Sequence, residues 1–85
     1  MTGPFRLVTK TISHDTVGAL QTLLDEAEKG DLIGIAFAVM YSKGGYITDA
    51  AGEAYESPTF ARGMVKALDD RLREILRELS STKVQ

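Results

Sequence analysis

Cysteine is absent from this chain, and its absence removes disulfides, thiol catalysis and zinc–thiolate sites from consideration. Histidine occurs once, at His14, so a two-histidine metal site cannot form within one chain. A dominant charge is also lacking. Ten Lys and Arg face twelve Asp and Glu, a formal net charge of −2, which gives no bulk attraction for nucleic acid or an anionic membrane. The longest apolar run, Leu32 to Tyr41, is about half of the ~20 residues that span a bilayer. Met1 to Lys10 alternates polar and apolar residues without the apolar block of a signal peptide, so a cytoplasmic location and no membrane contact are expected. No Gly-x-Ser-x-Gly elbow is present. Gly44–Gly45 lacks the Gly-Lys-Ser/Thr ending of a phosphate loop. No enzyme, metal or cofactor is expected.

What the chain does have is an ordinary globular composition, with 44% hydrophobic and 26% charged residues over 85 positions. That suits one domain and argues against disorder. Phe5 to Thr11 alternates like a short strand, so residues 1–11 are expected as an extended arm or an edge strand. Ser13 is the expected N-cap of a first helix over His14 to Lys29, with Ile12 and Val17 spaced as a hydrophobic staple and Gly30 at the left-handed C′ position. Val17, Leu20, Leu23, Leu24 and Ala27 form its apolar face.

Leu32 to Tyr41 reads as a strand. Its odd positions are bulky, its even positions are small, and neither face is polar, so cover on both faces is expected. Ser42–Lys43–Gly44–Gly45 marks a hairpin turn, and a second strand is expected from Tyr46 to about Ala54. A two-residue Lys43–Gly44 loop sets Tyr41 against Tyr46, Val39 against Thr48 and Phe37 against Ala50, whereas a three-residue loop inverts this parity.

Ser57 and Pro58 open the last helix as N-cap and first helical residue. Phe60, Met64, Leu68, Leu72, Ile75, Leu76 and Leu79 recur at steps of three and four, with Phe60 and Leu68 expected in the core. Asp69 with Arg73, Asp70 with Arg73 and Glu74 with Arg77 are the expected charge pairs. The helix is expected to end near Ser80, leaving residues 81–85 as a flexible tail. The whole reads as an α+β domain of order helix–β-hairpin–helix, αββα, with the N-terminal strand as an open addition.

Three groups of residues are candidates for binding. Asp25, Glu26, Glu28 and Asp31 cluster at the C-terminal end of the first helix, where the helix dipole disfavours negative charge, and this patch would meet a basic partner surface. Gly34, Ala36 and Ala38 leave a flat strand face that another backbone can approach, and open hairpin edges offer unpaired backbone groups, so a homodimer joined edge to edge is expected. Arg62, Lys66, Arg73 and Arg77 form a basic stripe that would follow a phosphate backbone, but interleaved acids favour a self-paired, solvated face.

Gly30–Asp31–Leu32–Ile33–Gly34–Ile35–Ala36–Phe37 and Ser57–Pro58–Thr59–Phe60–Ala61–Arg62–Gly63–Met64 resemble short proteins of bacteria and their prophages that have no assigned activity. The resemblance spans most of the chain. It implies a non-enzymatic module that binds a protein partner by surface occlusion, with an anti-CRISPR-like inhibitor of host defence as its most concrete form. A small nucleic-acid-associated regulator and an accessory subunit of a larger enzyme are the alternatives.

Overall fold

The computed structural model describes residues 6–8 and 10–83. The elements run helix, two-stranded antiparallel hairpin, short helix, long helix, which is an α+β arrangement of the helix–hairpin–helix kind. The chain divides into two compact units, Met1–Leu32 and Ile33–Gln85.

In the first unit, residues 1–5 and Thr9 of the expected arm lie outside the described residues. Arg6, Leu7, Val8, Lys10 and Thr11 lie in no strand. Helix α1 spans Thr16–Glu28. Its N-cap is Asp15 rather than Ser13: the Asp15 carboxylate accepts the Gly18 N–H at 2.9 Å. The Ser13 hydroxyl instead accepts the Asp15 N–H at 3.1 Å. Both residue types cap helices, but an ionised carboxylate gains more from the positive end of the helix than a hydroxyl does. With the cap at Asp15, Ile12 and Val17 lose the staple spacing. At the other end Gly30, with φ 86°, takes the C′ position. Its N–H donates to Ala27 O at 3.1 Å and the Asp31 N–H donates to Glu26 O at 3.0 Å, which is the paired closure of a Schellman motif.

In the second unit, β1 (Gly34–Met40) pairs with β2 (Tyr46–Gly52). The loop has three residues, not two. The Tyr41 N–H donates to Gly45 O at 2.8 Å, the Gly44 N–H donates to Tyr41 O at 3.0 Å, and Gly44 has φ 97°. The left-handed residue after a tight turn adds one position to the loop and shifts the register by one. Phe37 therefore faces Asp49, Val39 faces Ile47 and Met40 faces Tyr46. The bulky face of Ile35, Phe37 and Val39 is completed by Ala51, Asp49 and Ile47. The flat face joins Gly34, Ala36, Ala38 and Met40 to Gly52, Ala50, Thr48 and Tyr46. Cover on both faces fails at the hairpin tip, where Met40 is 90% exposed and Ala38 is exposed.

β2 ends two residues short of the expected Ala54 because Gly52 turns the chain out of the sheet, with φ 65° and ψ −142°. A Cβ at Gly52 would lie 2.4 Å from Ile33 O, so no other residue fits there without a shift of backbone. The short helix α2 (Glu53–Glu56) follows, anchored by the Glu53 N–H on Ile33 O at 2.9 Å. Its backbone lies against Gly34, where a Cβ would stand 2.6 Å from Ala54 N.

Ser57 joins two helices. Its N–H donates to Glu53 O at 2.8 Å, and its carbonyl accepts the Ala61 N–H at 3.1 Å. Helix α3 then runs Pro58–Lys83, 26 residues, or ~39 Å at 1.5 Å per residue. It continues past the expected end at Ser80, so residues 81–83 are helical and residues 84–85 lie outside the described residues. The buried residues among those described are Ala54 and Ala61, at 6% and 7% exposure. Both are small, so the buried positions hold methyl groups and no large side chain. The large residues expected in the core, Phe60 and Leu68, are instead exposed.

Candidate interaction surface

Helix α3 carries an extended apolar surface along its length. Val65, Leu68, Leu72, Ile75 and Leu79 step alternately by three and four, the spacing that keeps one seam on one side of a helix. Met64 and Leu76 widen it. Leu72 and Leu76 are 54% and 65% exposed, and only Ile75 in the seam is half-buried. The helix can hold this seam in water because its remaining sides are charged and internally paired. Arg73 Nε donates to Asp69 Oδ2 at 3.1 Å. Arg71 donates to Glu74 Oε1 at 3.1 Å and stands 3.7 Å from Glu78 Oε2. Of the expected pairs, Asp69–Arg73 is present, while Glu74 takes Arg71 instead of Arg77. Both partners are at helical spacing from Glu74, and spacing alone does not choose between them.

The basic stripe is a single stripe geometrically: Arg62, Lys66, Arg73 and Arg77 fall within about 60° of one another at 100° per residue. Arg73 is tied to Asp69, so one of its four charges is already offset by the same helix.

The acidic residues divide. Asp25 accepts from Gln21 Nε2 at 3.0 Å. Glu26 forms an ion pair with Lys10. Glu28 and Asp31 are exposed. Lys10 was not part of the sequence expectation, since it lies sixteen residues from Glu26 and no periodic pattern joins them. Asp31 sits in the Schellman turn, close in the chain to the three acids of α1.

Of the flat-face residues, Gly34 lies under α2 of its own chain, Ala36 is half-buried and Ala38 is exposed. His14 is exposed at the start of α1. Among the described residues no helix is long and apolar enough to cross a membrane. No protein-family model, no curated protein and no solved structure matches the chain.

Proposed function

We propose that this chain is a small protein-binding module that acts without catalysis, inside the cell, by covering a surface of a protein partner. One observation carries the reading: a 26-residue helix presents a continuous seam of large apolar side chains to water. An exposed apolar stripe of this length, bordered by charge, is what a helix-binding groove or a partner helix recognises. The partner that fits is an amphipathic helix or an apolar groove. Taken by themselves, the acids Asp25, Glu26, Glu28 and Asp31 of the first unit would attract a basic surface and speed the encounter. The resemblance to short prophage proteins favours a bacterial host protein as the target, with inhibition of a host-defence nuclease complex as the specific version. The module acts as a homodimer in this reading.

The test is a phage challenge. Cells carrying an active CRISPR system and expressing the chain are infected with a targeted phage, in parallel with cells expressing Leu72→Asp. Plaque formation restored by the native chain and not by the variant supports the reading. No restoration across the available system types removes the host-defence version. Steep salt dependence of DNA binding, lost on replacing Arg62 and Lys66, would favour the nucleic-acid alternative instead.

A further inference from the structure

We infer that the outer edge of β1 is the site at which a second copy of this chain adds its own β1, building a four-stranded antiparallel sheet centred on Phe37. This deepens the dimeric form of the proposed module, and it can fail or hold independently of which partner the module binds.

Residues of an antiparallel pair alternate between those that bond their neighbour strand and those whose N–H and C=O point away. The Tyr41 N–H bonds Gly45 O, and Ile33 O accepts the Glu53 N–H. These two bonds flank β1 and assign its odd residues to β2. The even residues, Ala36, Ala38 and Met40, therefore turn their backbone groups to the outer edge. Among the described residues of the second unit, no hydrogen bond reaches them there.

The two edges of the hairpin are not alike. On β2 the Ala50 N–H, which faces outward, is taken by the Asp49 carboxylate at 2.8 Å. A bonded carboxylate on an edge is a device that discourages pairing. β1 has no such device. Gly34–Met40 contains no charge and no proline, and it is regularly paired with β2 along its whole length without a bulge.

A second copy is the occupant that fits. Identical uncharged strands meet without like-charge repulsion, and a two-fold axis makes the contact self-complementary. Full overlap of the seven residues occurs in one register, with Phe37 opposite its own counterpart and Ala36 opposite Ala38. In that register Phe37 is a non-hydrogen-bonded pair, whose Cα atoms lie ~4.5 Å apart, within the span a disulfide bridges. Val39 would stand four residues, ~13 Å, from its own counterpart.

Because the chain has no cysteine, single-cysteine variants read the register directly. Under mild oxidation Phe37→Cys is expected to yield a disulfide-linked dimer, and Val39→Cys is expected to yield none. Equal yields from both overturn the inference. Independently, Ala38→Pro removes an outward N–H while leaving the bonds to β2 intact. It is expected to reduce the mass in light scattering from that of two chains to that of one, with an unchanged circular dichroism spectrum. A dimer that survives Ala38→Pro, or a native chain that stays at the mass of one chain across a micromolar dilution series, overturns the inference. Should Phe37→Cys fail to fold, the mass of the Ala38→Pro variant decides alone.

Discussion

Replacing Gly52 with alanine tests the geometry that joins the sheet to both later helices. Gly52 has φ 65° and ψ −142°, a region that side chains rarely adopt, and holding a non-glycine residue in such a region costs ~1–3 kcal/mol. The added Cβ would also lie 2.4 Å from Ile33 O. That oxygen is backbone and cannot rotate aside, so the strand end must move. Movement weakens the 2.9 Å bond from the Glu53 N–H to the same oxygen, a further ~0.5–1.5 kcal/mol. The expected cost is then ~2–4 kcal/mol, against a total stability of ~4–13 kcal/mol for a chain of this length. The assay is urea unfolding followed by tyrosine fluorescence. All three tyrosines, Tyr41, Tyr46 and Tyr55, lie in the second unit and there is no tryptophan, so the signal reports that unit alone. Gly45→Ala is the control, because a Cβ there meets nothing within 4 Å. The control is expected within ~0.5 kcal/mol of the native chain. If Gly52→Ala unfolds no more easily than Gly45→Ala, the elbow does not hold α2 against β1 and the argument fails.

Three further outcomes follow from the same structure. Asp15→Ala is expected to lower the stability of α1 by ~1 kcal/mol in helix-detected unfolding, and Ser13→Ala by less, since the aspartate is the cap; the reverse order would return the cap to Ser13. Leu68→Ala is expected to cost ~1–2 kcal/mol at most, because 45% of Leu68 is already in water and only the buried remainder contributes; a loss of ~3 kcal/mol or more would mean that the seam is covered in the free chain. Reversing Glu26 and Glu28 to lysine is expected to slow association with the partner and spare folding, as the Lys10–Glu26 pair is half-exposed on the lysine side and such pairs contribute ~0–1 kcal/mol; an unchanged association rate would remove the acidic patch from the interface.

The order of elements was legible because each rests on local chemistry. Gly30 ends α1, Pro58 starts α3, and the β-branched run at Ile33–Val39 makes β1. The misplaced features are those where two local solutions compete. Ser13 and Asp15 both cap helices, and the staple spacing of Ile12 and Val17 favoured the wrong one. Ser42–Lys43–Gly44–Gly45 accommodates a two- or three-residue loop; Gly44 lies in the loop either way, and the difference is whether Tyr46 or Gly45 stands opposite Tyr41 at the loop base. Helix α2 is a single turn without periodicity, and the residues Ala50 to Ala54 read as a continuing strand. Its one local sign is Gly52, which breaks that strand. The α3 face was readable from its period of three and four, but periodicity says which side is apolar and nothing about what covers it. Phe60 and Leu68 therefore read as core and stand exposed. The Lys10–Glu26 pair had no local sign at all.

The proposed function requires the apolar seam of α3 to be a partner-binding face. Photo-crosslinking inside the host cell tests it most directly, with a photoreactive residue placed either at Leu72, in the seam, or at Asp70, ~160° away on the same helix. A crosslink to one host protein is expected from position 72 and none from position 70. Equal yields from both positions, or no host protein from position 72, would contradict it.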